Sequence, residues 1–492
     1  MSTPIPPTPT DLSEGGTLAI VFVTLSTFAV ASLAYLKFGT LDVSNRDVYF
    51  AARNSQPWWS VMFNFFSATI GTWVFIIVPE MGTYAGSLGI IGYALRNLPQ
   101  GVTLNDFVEQ RFGPVMHGVL TICTLFNMFI FLVAEFTSVG GLIQVMTGLD
   151  PLAPVLGVSI VTLCYSSIGG LPVSLMTDNV QGVATIALVF VVCIGIYATI
   201  PVTSSDILAT GVADATGGGA IAFVSLVISL TASNMFHAGF WQRVWSAGSD
   251  RNMRIGVAGA NLLQIIVMLM VGVIGFIAVA RYGDNLYFPE YVAYNSMFLL
   301  LNEMALGWRV ITIIAAVCMV CSTADALQNG FAALFSSHSR VSIVAAQLIT
   351  VAVNVPAIVL ATMQLSVLSL FIMCNLLTVA VCTPIAMGMW TGTNPTVALV
   401  GVATGLVVVI LIFVSSGVIE FNDVPTGLSM IYFSFDLRSP VLLCAFILSP
   451  TVAAIVTYFG SKMFPYEFAG FRAVGKQPVG NGAGPAGTAF VA

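Results

Sequence analysis

The sequence predicts an all-α membrane protein of about thirteen transmembrane helices, and three observations predict it. Of 492 residues, 58% are hydrophobic and 7% are charged. Soluble chains carry charge at about a quarter of their positions, so the apolar surface here belongs in a bilayer. The apolar residues fall into thirteen runs, most of them near the ~20 residues that a helix needs to cross hydrocarbon. The basic residues divide between alternate loops twelve to three, as the positive-inside rule requires.

Taken in order, the runs are 16–37, 58–80, 83–97, 113–147, 150–168, 172–200, 218–242, 256–280, 305–333, 341–363, 366–390, 395–416 and 439–460. The third falls short of the ~17-residue minimum for a span. An odd number of spans places Lys37, Arg46, Arg53, Arg96, Arg111, Arg243, Arg251, Arg254, Arg340, Lys462, Arg472 and Lys476 on one side, with Arg243 at the interface. Arg281, Arg309 and Arg438 fall on the other. The N-terminus is then outside and the C-terminus cytoplasmic, in an integral protein of the plasma membrane. Residues 1–15 are expected as a disordered N-terminus, 16–37 as a peripheral first helix, and the Gly/Pro/Ala-rich 477–492 as a disordered tail. No basic segment precedes the first apolar run, so no cleavable signal peptide is expected. No Lys/Arg cluster points to nucleic acid. All eight cysteines lie in apolar runs, and Cys318-Met-Val-Cys321 reads as small-residue packing rather than a redox pair.

Within the second run, Asn64 to Gly86 carries Ser67, Thr69, Gly71, Thr72, Pro79 and Glu80. An interrupted helix at membrane depth is tolerated where its freed backbone groups face protein or a water-lined cavity, so this stretch reads as a broken helix lining a site. The same small residues also allow close helix packing. The run 218–242 ends in LTASNMFHAGFWQRVW and is interrupted in the same way near Asn234 and His237. Two broken spans, each opening a block of about five helices, point to an inverted-repeat transporter with its site at the bilayer midplane. The blocks are 58–200 and 218–363, followed by peripheral helices over 366–460.

Four acids sit inside spans: Glu80, Glu135, Asp178 and Asp325. Acids at that depth are costly and mark pathways by default. Glu135 has no evident basic partner, so an interhelical hydrogen bond and proton coupling are both open. Asp178 reads as a guide for a cation leaving toward the cytoplasm, or as a group solvated near the interface. Ser322, Asp325 and Asn329 share a helix face with Thr323 at its border. Such neutral oxygens suit a weakly held Na⁺, or they bond back to the preceding turn. His237 can bind a solute, exchange a proton near neutral pH, or simply pack. Trp73, Phe75, Phe236, Phe240 and Trp241 are candidate pocket aromatics.

The segments SATIGTWVFIIVPEMGTYAG, TLNDFVEQRFG, SSIGGLPVSLMTDNVQG, WQRVWSAGSDRN and CSTADALQNG together resemble the sodium/solute symporter family, from about Asp47 to Gly460. That resemblance implies a leucine-transporter-like fold of two inverted five-helix repeats working by alternating access. It implies a Na⁺ site on the carbonyls of Ser67, Ile70 and Met319 and the hydroxyls of Ser322 and Thr323, with Asp178 on the ion's exit path. His237 stands where many relatives carry an amide, which puts sugar specificity in doubt and leaves H⁺ coupling open. Between Gly92 and Thr103 the chain is shorter than its relatives by about a dozen residues or more.

The expected function is symport of a small polar solute with Na⁺ or H⁺. Solute contacts are expected at Thr72, Trp73, Asn234, His237 and Phe240, and the fungal-type motifs suggest urea. No nucleophile elbow, phosphate loop or metal-ligand spacing suggests an enzyme or a cofactor. The remaining partners are the coupling cation and the lipid bilayer. A transport-inactive nutrient sensor of the same fold and a passive solute channel are the alternatives.

Overall fold

The computed structural model describes residues 4–6, 8–9, 11–39, 43–80, 83, 104–339, 342–433 and 436–468. Helix α1 (Glu14–Phe38) is capped by Ser13, whose hydroxyl accepts the Gly16 N–H. Residues 11–15 are therefore not the free tail expected for the N-terminus, and Asp11 is ion-paired with Arg309. The short α2 (Arg46–Ala51) leads to α3 (Trp58–Thr69) and, across a break bent by 69°, α4 (Val74–Glu80). The expected span 83–97 lies outside the described residues apart from Thr83.

The chain resumes with α5 (Leu104–Phe112), α6 (Pro114–Thr147) and α7 (Leu152–Thr199). Helix α7 holds 48 residues. At 1.5 Å per residue that is about 72 Å, more than twice the ~30 Å of hydrocarbon, so α7 is the two expected spans 150–168 and 172–200 bent into one. The bend is at Gly170, with φ +58° and Pro172 just beyond it.

Surface helix α8 (Ser204–Thr210) precedes a second broken pair, α9 (Gly217–Asn234) and α10 (Ala238–Ser246). Then come α11 (Asp250–Tyr282), α12 (Ser296–Asn302), α13 (Leu306–Ser339), α14 (Ile343–Thr362) and α15 (Val367–Ala386). The chain closes with α16 (Pro395–Phe421), α17 (Val424–Phe433) and α18 (Pro440–Met463). Among the described residues ten helices are long and apolar enough to span, or eleven when α3 and α4 count as one. Counting α7 twice gives twelve of the thirteen expected runs.

Helix α13 is the spine. Its spanning window is 83% buried, against 22% for α14 and 33% for α16 and α18, so it sits inside the bundle while those three face lipid. It packs along α7 and α6, and both broken pairs touch it. Helix α15, expected among the peripheral helices, instead packs on α6 and α9 and belongs to the inner bundle. Five helices counted from the α9/α10 pair therefore end at Ala386, one helix beyond the boundary expected at 363.

The bend in α7 depends on glycine. An added Cβ at Gly170 would lie 2.6 Å from the Tyr49 carbonyl oxygen, in a backbone region that side chains rarely adopt. Gly170→Ala is expected to destabilise the protein by roughly 1–3 kcal/mol, read as a lower melting temperature in detergent; an unchanged melting temperature would show that the bend is not held by this residue.

Candidate functional site

The first break leaves the Thr72 N–H without a helical acceptor, and a neighbouring helix supplies one. Glu135 of α6, 2% exposed, accepts the Thr72 N–H on Oε2 at 3.0 Å. Gly71 makes room for it, since a Cβ there would fall 1.7 Å from Glu135 Oε1. The Thr72 hydroxyl donates to the Ala316 carbonyl of α13 at 2.9 Å. Of the two readings open for Glu135, the structure supplies the interhelical hydrogen bond. Glu80, at the far end of α4, is 5% exposed and accepts the Tyr291 hydroxyl at 2.9 Å.

Asp178 connects two hydroxyls of the expected cation site. Ser67 Oγ donates to Phe63 O at 2.7 Å and lies 3.2 Å from the Asp178 carbonyl. Ser322 Oγ donates to Asp178 Oδ1 at 2.6 Å. Thr323 Oγ1 bonds back to the carbonyls of Met319 at 3.1 Å and Val320 at 3.3 Å. Ile70 and Met319 are fully buried. The hydroxyl and carbonyl oxygens of these residues are uncharged hard donors, the chemistry that suits a hard cation.

Beside them lies a charge cluster with an excess acid. Arg243 Nη2 donates to Asp178 Oδ2 at 2.5 Å, and both side chains are fully buried. Arg243 also donates to the carbonyls of Asn64 at 3.2 Å and Gly239 at 2.9 Å. Its expected place at the interface is thus corrected: the guanidinium is drawn inward because burying Asp178 needs a charged and hydrogen-bonded partner. Asp325, also fully buried, accepts from Ser174 Oγ and, at 3.3 Å, from Thr177 Oγ1. Arg243 thus pairs directly with Asp178 and reaches Asp325 only through Ser174, whose Oγ lies 3.4 Å from Nη2.

Of the expected solute contacts, Trp73, His237 and Phe240 belong to one series of rings. His237 stacks on Phe240 with centroids 4.0 Å apart and planes 10° from parallel. Phe131 of α6 presents an edge to His237 at 6.2 Å and another to Phe371 of α15 at 4.5 Å. Trp73 meets Phe371 at 5.6 Å. Asn234 ends α9, and its carbonyl accepts the His237 N–H at 3.4 Å. Phe75, Phe236 and Trp241 pack in apolar clusters. Phe131 and Phe371 were not singled out in the sequence because a phenylalanine in an apolar run carries no local signal; Phe131 lies four residues, one turn, before Glu135.

No protein-family model matches the chain. A spermidine transporter of Candida albicans is 26% identical over 403 residues, covering 77% of this chain and 75% of that protein. A sodium/glucose cotransporter of Vibrio parahaemolyticus is 29% identical over 153 residues, 27% of each chain. The structure of a Na⁺-coupled sialic acid symporter, outward-open with substrate bound, matches with a TM-score of 0.73 over 92% of this chain and 98% of that one, at 16% identity. The fold is the all-α, leucine-transporter-like one, and the sequence relatives are transporters, which supports a membrane transporter rather than an enzyme.

Proposed function

We infer that the protein is a secondary active transporter in which Na⁺ drives the uptake of a small polar solute. The observation that carries this reading is the fastening of the first helix break to α13, through Thr72 and Ala316, beside a cluster of two carboxylates and one guanidinium. A cation held by Ser67, Ile70, Met319, Ser322 and Thr323 adds bonds across that same seam. It favours the state in which the seam is closed, which is how a ligand shifts a conformational equilibrium. Asp178, linked to both Ser67 and Ser322, is the first group the ion meets on leaving toward the cytoplasm. The charge distribution supports an N-terminus outside and a cytoplasmic C-terminus.

The solute is an amine on this reading. Ring faces attract ammonium groups by about 0.5–2 kcal/mol each, and Glu135 sets a carboxylate one turn along α6 from Phe131. The name of the Candida albicans relative, a spermidine transporter, supports the same class. A flat neutral solute such as urea is the second reading, favoured by the parallel His237–Phe240 stack. Uptake of radiolabelled spermidine and of radiolabelled urea into proteoliposomes, with and without a Na⁺ gradient and at several pH values, separates these readings. Uptake indifferent to both gradients would remove coupling and leave a passive channel; binding without flux would leave a sensor.

Three variants test the parts. Ser322→Ala combined with Thr323→Ala is expected to abolish Na⁺ stimulation of uptake, and full Na⁺ dependence in that variant would remove the ion site. Glu135→Gln keeps an acceptor for the Thr72 N–H but loses the charge; its KM for spermidine should rise about tenfold, the scale of one charge-assisted bond, and an unchanged KM would argue against an amine. His237→Asn is expected to change solute preference and pH dependence together, and if neither moves His237 is structural.

A further inference from the structure

We propose that Thr124, Asn127, His237 and Asn375 line a second, inner solute subsite, which takes the N–H groups of an amine or amide solute after it leaves Glu135; the proposal rests on the transport reading above. Along α6, Thr124, Asn127, Phe131 and Glu135 recur at three and four residues and so share one face. On α15, Asn375 stands one turn beyond Phe371. Asn127 Oδ1 accepts from Ser233 Oγ of α9 at 2.9 Å and from Cys374 Sγ of α15 at 2.7 Å. Three helices are thereby held together one level below the ring series.

All four side chains are at least 97% buried, with exposures of 2%, 0%, 3% and 3% for Thr124, Asn127, His237 and Asn375. Each has a polar atom with no hydrogen-bond partner: Thr124 Oγ1, Asn127 Nδ2, His237 Nδ1 and Asn375 Oδ1. Native interiors leave few such atoms unpaired. Four of them on the facing sides of α6, α10 and α15 are a place kept for a partner that comes and goes. None carries a fixed charge: Thr124 Oγ1, His237 Nδ1 and Asn375 Oδ1 can accept an N–H from a solute moving from Glu135, and Asn127 Nδ2 can donate to the carbonyl of an amide solute, so the solute is held without being trapped. Beyond Thr124 an apolar cluster that includes Leu120, Phe236, Trp241, Val381 and Ile385 closes the seam, so the subsite is a step before the inner exit.

The test uses the full chain in proteoliposomes under a Na⁺ gradient, with radiolabelled spermidine and radiolabelled urea as probes. Thr124→Val is nearly isosteric and removes a hydroxyl that bonds to nothing; Asn375→Leu removes the unpaired amide oxygen. Each is expected to lower the rate of uptake about five- to tenfold, the size of one lost hydrogen bond to the solute, while the melting temperature in detergent holds or rises because an unpaired buried group is gone. Full-rate uptake in both variants overturns the proposal. So does a fall in melting temperature in both, which would show that these groups are satisfied structurally. A wild type that moves neither probe removes the transport reading and the subsite with it, whereas a transporting wild type beside full-rate variants removes the subsite alone.

Discussion

Backbone freed from a helix inside hydrocarbon must find partners in the protein, and this constraint fixes how the bundle is assembled. The first break finds one in Glu135, which accepts the Thr72 N–H, while the Thr72 hydroxyl separately fastens the break to the Ala316 carbonyl. The second approaches α13 just as closely: a Cβ on Gly239 would lie 2.5 Å from the Ala326 carbonyl, and one on Gly330 would lie 2.9 Å from the Gly239 nitrogen. Both broken pairs therefore rest on small residues of one buried helix, the first through the Thr72 hydroxyl and the second backbone against backbone at Gly239. Close-packed interfaces of this kind have discrete arrangements rather than graded ones, so a shift of α13 against either break is a shift of state.

The charge cluster lies where that shift is felt. Arg243 belongs to the inner half of the second broken pair, Asp178 to α7, and Asn64 to the helix before the first break. Separating them strips a fully buried guanidinium of its carboxylate, which costs several kcal/mol. Asp325 joins the cluster through Ser174 and Thr177 rather than through Arg243. On the proposed reading a cation arriving at Ser322 and Thr323 meets the Ser322–Asp178 bond, and through Asp178 and Arg243 the cluster ties occupancy of the ion site to the position of α10.

How much of this was legible in the sequence follows from the range of each interaction. Helix breaks are local, and Gly71 and His237 marked both to within a few residues. Most helix boundaries followed from apolar run length for the same reason. The inward turn of Arg243 was not legible, because its partner Asp178 lies 65 residues away. Nor was the role of Glu135, whose partner is a backbone N–H 63 residues earlier in the chain. The ring series was half legible: Trp73, His237 and Phe240 stood next to breaks, whereas Phe131 and Phe371 sit in unbroken helices and are identified only by what they face. The outer limit of the second block was misplaced because α15 has the composition of a lipid-facing helix; only its packing on α6 and α9 reveals otherwise.

A pathway has to bind well enough to admit the solute and weakly enough to release it. On the proposed reading the strong groups, the Glu135 carboxylate and the rings of Trp73, Phe131 and Phe371, stand near the first break, where the coupling ion can act on them. Further inward stand a hydroxyl and two amides of α6 and α15 and the imidazole of His237, then the apolar cluster around Leu120 and Ile385, while α10 carries the buried Arg243 paired with Asp178. On that reading the contacts offered to a polar solute weaken along α6 from Glu135 to Thr124. Binding at the upper level, with release through successively weaker contacts, gives the rocking of the two broken helices a solute to carry rather than one to keep.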